Sequence, residues 1–223
     1  MVNNTALDCR QLMLSSFHCA DDMDADDWPY LTVWYNFEML ESGGMASINF
    51  DDFEEDDNSH RRLDVLQSYF TQRPDLFIGI KLAHAHQGVA FDNENYLGVY
   101  EVAAEHGAPV LLHTGATPFP NAMNEPEYYD PLALESVIIA YNGNSGSNRV
   151  EFVLSHVGGV DKRATDHALE LAEAHDNVWL EISATGSPME IGADGEPVDS
   201  TTPRYHYILE EALARGVVGQ TIF

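Results

Sequence analysis

Short β-rich apolar runs alternate with helix-patterned segments along most of this chain, and that alternation limits its folds to a few. The runs lie at 45–50 (MASINF), 77–82 (FIGIKL), 109–113 (PVLLH), 150–155 (VEFVLS), 178–183 (VWLEIS) and 217–223 (VVGQTIF), with a seventh candidate at 31–35 (LTVWY). Each is short and bounded by turn residues, as buried parallel strands are. Helical stripes fill the gaps: Leu63, Leu66 and Phe70 behind Ser59; Tyr96, Val99, Tyr100 and Ala103 behind Asp92; Leu134, Ile138 and Tyr141 behind Asp130–Pro131; Ala164, Ala168, Leu171 and Ala172 within 162–175; and a last helix at 204–215. Ser and Asp cap helix starts, Pro suits the first helical position, and Gly107, Gly143 and Gly216 stand at the expected ends. NFEMLESGG, after the seventh run, reads as a short helix. The order βαβαβαβαβαβ, with one more βα unit in front, predicts a parallel sheet with right-handed crossovers.

An open doubly wound sheet and a (β/α)8 barrel both satisfy that order. A dinucleotide-type sheet calls for a glycine-rich turn after an early strand. The glycine-rich GNSGSN (143–148) instead precedes a strand, where it cannot cradle a phosphate. The helix-to-strand connections are short, whereas strand-to-helix loops 114–129 and 184–203 are long. Long loops gathered at the carboxyl ends of strands are where barrel enzymes build their sites.

Composition removes some partners. The formal net charge is −27, from 37 acidic and 10 basic residues, and only Lys81 and Lys162 are lysines. Such a surface repels nucleic acid and anionic membranes. Low lysine with abundant Asp fits salt-rich surroundings, where charge repulsion is screened. No run approaches the ~18 apolar residues of a membrane span, and the start MVNNTALDCRQLML lacks the basic and apolar regions of a signal peptide. These features favour a cytoplasmic location. Cys9 and Cys19 are too far apart for a C-x-x-C pair and build no disulfide framework. Residues 1–44, with the acidic run ADDMDADD at 20–27, are poorly patterned; the regular pattern runs over 45–223.

Candidate chemistry collects at the strand ends. FIGIKLAHAH puts Lys81 late in a strand and His84 and His86 just beyond it; PVLLH ends in His113, VEFVLSH in His156, and VWLEIS carries Glu181. In a barrel these ends converge on one axis, and neutral imidazole is a good ligand for zinc and similar ions. A lysine inside a strand needs a carboxylate partner, a modification or a chemical role. Glu181 is a candidate partner for it, or an acid near the ligands. His84 and His86 alternate, so only one of them need face inward. Asn121, Tyr128 and Tyr129, in the long loop, are candidate polar contacts to substrate. The remaining histidines show no convergent spacing. A metal-free hydrolase using Glu181 and a second carboxylate is a further reading.

IKLAHAHQGVAFDNENYLGVYEVAAEHGAPVLLHTG, with VEFVLSHVGG and NVWLEIS, resembles the amidohydrolase superfamily in its amidohydrolase-2 branch, over roughly residues 70–223. The resemblance implies a (β/α)8 TIM barrel with one or two divalent metals, most often zinc, with manganese or iron as alternatives. It implies hydrolysis of amides, esters or lactones, or decarboxylation of aromatic and related acids, on a small carboxylate, lactone, ester or amide substrate. His113 and His156 correspond to the histidines that close the fifth and sixth strands, one binding metal and the other binding metal or acting on substrate. Lys81 corresponds to the fourth-strand residue, a carbamylated metal-bridging lysine in some members. The family's first-strand H-x-H pair has no counterpart in residues 1–50, and its aspartate after the last strand is expected just beyond QTIF. The expectation is therefore an incomplete barrel, with residues 45–223 as strands three to eight. Open edges would invite a partner, a second copy of this chain among them. The rival expectation is a catalytically silent barrel remnant that binds a ligand or a partner chain.

Overall fold

The computed structural model describes residues 31–34, 43–47, 58–72, 77–116, 124–143 and 148–222. Seven strands form one sheet in sequential order: β1 (Leu31–Trp34), β2 (Gly43–Ser47), β3 (Phe77–Leu82), β4 (Val110–His113), β5 (Phe152–Ser155), β6 (Val178–Glu181) and β7 (Thr221–Ile222). The five strands β3 to β7 run parallel, and β2 joins β3 in the same sense. Each run read as a strand from the sequence contributes one, although in VVGQTIF only Thr221–Ile222 is strand and Val218–Gln220 is a 3-10 turn.

Two expectations change. β1 pairs antiparallel with β2 rather than opening a parallel βα unit. The connection, residues 35–42, is shorter than the dozen or so residues a parallel crossover requires. That segment, including most of the helix expected in NFEMLESGG, lies outside the described residues. The sheet is also open: β1 and β7 are its edges, and no pairing joins them among the described residues. What stands is an α/β fold on a parallel sheet; closure into a barrel is not seen.

The helices are α1 (Asn58–Gln72), α2 (His84–Gln87), α3 (Glu94–His106), α4 (Pro126–Tyr129), α5 (Glu135–Ala140), α6 (Lys162–Ala174) and α7 (Arg204–Arg215). Asp130 starts a 3-10 turn, Pro131–Leu134, by accepting from the Leu132 N–H at 3.1 Å, and α5 follows directly. Asp161, not foreseen as a cap, accepts from Arg163 N–H at 2.9 Å and opens α6. Each such cap satisfies a donor the helix cannot. Gly107, with φ of 61°, ends α3 in the left-handed region that an L side chain avoids. Among the described residues no helix is long and apolar enough to cross a membrane.

The period-2 alternation of the strands divides the sheet into two unlike faces. Ile80, Leu82, Val110, Leu112, Phe152, Leu154, Val178 and Leu180 are each at most 1% exposed and form the core with the helices. Burying such a side chain stabilises by about 1.5–3 kcal/mol. The other face carries Lys81 in register with Leu111, Val153 and Trp179, and, one pleat further, His113 in register with Ser155 and Glu181. One face is therefore uniformly apolar, and the other gathers the titratable side chains at its carboxyl end.

His84 belongs with the core. It is fully buried, packs against Phe91 and Tyr96, and places Nδ1 3.1 Å from the Val89 carbonyl. Its Nε2 lies 3.3 Å from the Tyr100 hydroxyl. Desolvation, against the pull of the Val89 carbonyl, lowers its pKa to about 3. The sign of the pH effect follows. The unfolded chain takes up a proton below about pH 6.5 that the folded chain refuses, so stability falls as the solution is acidified from there towards pH 3. Between pH 6.5 and 5 a ring that stays neutral costs up to about 1.4 kcal/mol per pH unit. Urea denaturation at pH 7 and pH 5.5 should therefore show a lower unfolding free energy at the acid value; equal stability would contradict it.

Candidate active site

The two loops that follow β4 and β5 cross almost in contact, and this crossing brings the histidines together. Gly115 has φ of 86°, and a Cβ there would lie 2.3 Å from the Gly158 carbonyl carbon and from the Gly159 nitrogen. Thr114 ties the loops further: its hydroxyl donates to the Ser155 carbonyl at 2.7 Å and accepts from Gly158 N–H at 3.0 Å. The glycines of LLHTG and LSHVGG are thus explained by close packing of backbone on backbone. The chain also turns sharply where β5 ends, with His156 at φ 67° and Val157 at φ 43°. A left-handed β-branched residue is strained, and such strain concentrates at functional sites.

Three imidazoles then stand in a row. His113, at the end of β4, lies edge-to-face between His86 and His156, with ring centroids 5.1 Å from each. The Nε2 of His113 is buried and has no hydrogen-bond partner among the described residues. Desolvation, and then the nearby charges of Lys81, His156 and His86, hold His113 well below the usual histidine pKa. His86 is lowered by desolvation and by Lys81, and His156 by the same two causes, partly offset by the Ser183 carbonyl and Glu181. Neutral imidazoles with a free nitrogen are metal donors and proton acceptors.

Lys81 and Glu181 flank this row on the same face. The Lys81 ammonium donates to the Ser155 hydroxyl at 3.2 Å. Desolvation lowers its pKa from 10.5 to about 8, against the pull of Glu181. Glu181 is buried, accepts from Ser183 N–H at 2.7 Å and from the Ser183 hydroxyl at 2.9 Å, and lies 3.9 Å from Nδ1 of His156. An open groove of about 440 Å3 begins at Ser183 and is lined also by Ile182, Ala184, Thr185, Tyr205 and Leu209. It adjoins the histidine row only through Ser183, the neighbour of His156, and is within the size range of small-molecule pockets.

The structure thus brings together His86, His113, His156, Lys81 and Glu181 of the residues singled out in the sequence. His84 faces the core. Tyr129 is buried, donates to the Asp161 carboxylate at 3.2 Å and accepts at its carbonyl from Gly115 N–H at 2.9 Å, so it props the crossing loops. Tyr128 is half-buried against Ala85, Tyr129 and Ala164. Asn121 lies outside the described residues. Sequence reasoning missed Ser155, Thr114 and Ser183. Their positions beside His156, His113 and Glu181 were a usable signal, but a serine near a turn has many other uses.

Strand-end histidines on consecutive parallel strands, with a lysine on the strand before, gather the candidate site of this α/β fold at the carboxyl edge of its sheet. Residues 74–217, well over half of the chain, match the Amidohydrolase family. The chain belongs to that family, in its amidohydrolase-2 branch. No curated protein matches it.

Members of this family typically bind divalent metals. The donors here fit such an ion in kind: buried neutral imidazoles, one with its Nε2 unspent. Among the described residues they do not form a group of three or more His, Cys, Asp or Glu arranged to hold a metal. A catalytic zinc usually takes three protein ligands.

Proposed function

We propose that this chain is a metal-dependent hydrolase or decarboxylase acting on a small carboxylate, lactone, ester or amide. The site lies at the carboxyl ends of the strands of a TIM barrel. The carrying observation is the contiguous row His86–His113–His156 on the face that also holds Lys81 and Glu181. Sequential parallel strands with helices on the apolar face support the barrel.

His113 would hold the metal through its unspent Nε2. A bound divalent ion, most often zinc, polarises a carbonyl or acidifies a water. His156 accepts or returns a proton at the reacting atom or orients the substrate. Lys81 serves in one of two ways. At pH 7 roughly nine in ten of its amines carry a proton, given a pKa near 8, and stabilise developing negative charge. The neutral fraction is what carbamylation of Lys81, as a ligand for the ion, would require. The described parts of the loops 114–129 and 184–203 would shape the pocket, and Ala184 and Thr185 of the second line the groove beside Ser183. The edge strands β1 and β7, each paired on one side only among the described residues, would serve self-association.

Elemental analysis tests this. Chain purified from medium supplemented with Zn, Mn and Fe should carry a metal at about half an equivalent or more, and His113→Ala should carry less than about a tenth. Less than about a tenth in the unmutated chain would favour a silent barrel that binds a ligand or partner.

A further inference from the structure

The contacts around Ser183 determine which nitrogen of His156 carries its proton. Nδ1 of His156 lies 3.1 Å from the Ser183 carbonyl oxygen and 3.1 Å from the Ser183 hydroxyl oxygen. A carbonyl only accepts. The hydroxyl has one hydrogen, and that hydrogen goes to Glu181 Oε2 at 2.9 Å, so towards His156 the hydroxyl also accepts. Both neighbours of Nδ1 therefore require a proton on it. Glu181 makes the arrangement rigid, because its other oxygen takes the Ser183 N–H at 2.7 Å. One buried carboxylate thus fixes the main chain and the hydroxyl of Ser183 together.

We propose that Glu181 and Ser183 are positioning residues that lock His156 as its Nδ1–H tautomer and leave Nε2 as the free lone pair of the site. Two acceptors converge on Nδ1, and the direction of the hydroxyl, set by Glu181, decides that neither competes for a lone pair there. The strained φ of His156 is consistent with a ring held by contacts outside its own turn. The assignment deepens the proposed function and rests on it for the task of Nε2, but not for the tautomer itself. Nothing in it depends on which metal, or which substrate, the chain takes.

The test is 15N NMR of the full chain labelled at its histidines, with His156→Gln identifying the signals of His156. The expected result is a protonated Nδ1 and an unprotonated Nε2; the reverse pattern overturns the proposal. In Glu181→Gln the amide can donate to the Ser183 hydroxyl, which frees the hydroxyl hydrogen to point at Nδ1. The Nε2–H form should then rise about tenfold, the change one hydrogen bond of ordinary net strength carries; an unchanged spectrum overturns the role of Glu181. Ser183→Ala keeps the carbonyl and so keeps Nδ1–H, but the proton should exchange with water several-fold faster, and in that background Glu181→Gln should move nothing more. A tautomer shift in the double variant equal to that in Glu181→Gln alone would overturn transmission through the hydroxyl. A chain that binds no metal yet shows the Nδ1–H tautomer would defeat the proposed function and support this assignment.

Discussion

Gly115→Ala is expected to lose about 2–5 kcal/mol of stability. Two costs add. At φ of 86° an L side chain sits in the left-handed region, at about 1–2 kcal/mol. The new Cβ would also fall 2.3 Å from the Gly158 carbonyl carbon and the Gly159 nitrogen. Those atoms are backbone and cannot rotate aside, so the loops must part, and overpacking of this kind costs about 1–3 kcal/mol more. Gly107→Ala is the control. Its φ is 61°, but no atom lies within 4 Å of its added Cβ, so it should pay only the conformational cost. The difference between the two variants in urea denaturation isolates the steric part. Equal losses would mean that the loops can separate freely, and that the histidine row is not held by their crossing. Parting these loops moves His113 away from His156, so metal content should fall along with stability.

Lys81→Met should move stability in the opposite direction, by about 1–2 kcal/mol at pH 7, while removing the charge the proposed chemistry uses. Lowering the pKa from 10.5 to about 8 means that the folded chain holds this proton less well than the unfolded chain does. Integrated, that disparity costs up to about 3 kcal/mol below pH 8. The partial exposure of the side chain and the loss of the Ser155 contact reduce what the variant regains. The pH dependence has a definite sign. Between about pH 8 and 10.5 the unfolded chain binds the proton and the folded chain does not, so the unmutated protein gains stability as pH rises through that window. Lys81→Met lacks this slope, and the gap between the two should narrow from pH 7 to pH 9.5. If Lys81→Met is instead less stable at pH 7, Lys81 serves the fold through its attraction to Glu181, and a catalytic role has no stability cost to explain. A lysine that the fold would do better without fits the trade of activity against stability, and so the role proposed for Lys81.

Much of the architecture was legible in the residues. Each β-rich run contributes a strand, because short apolar runs bounded by turns pack as strands between helices, but VVGQTIF does so only at Thr221–Ile222, after a 3-10 turn over Val218–Gln220. The stripe Tyr96, Val99, Tyr100 and Ala103 is fully buried, as its 3.6-residue spacing requires. The direction of β1 was misjudged. Its LTVWY pattern is the same in a parallel or an antiparallel strand, and only the length of the following connection tells them apart.

For the site, the sequence itself put Lys81, His113, His156 and Glu181 at or near the ends of neighbouring strands; the register then places Lys81, His113 and Glu181 on one face. The sequence could not decide between His84 and His86. Both follow β3 within one short helix, and a turn of about 100° per residue sends one ring into the core and the other towards His113. Nor could it show that Ser183 holds His156, because that contact spans two strands and depends on the strained turn at Val157. Local pattern is written in the chain because each residue's burial follows from its own period. The meeting of His86, His113 and His156 depends on how closely two loops approach, and only the packed tertiary structure sets that distance.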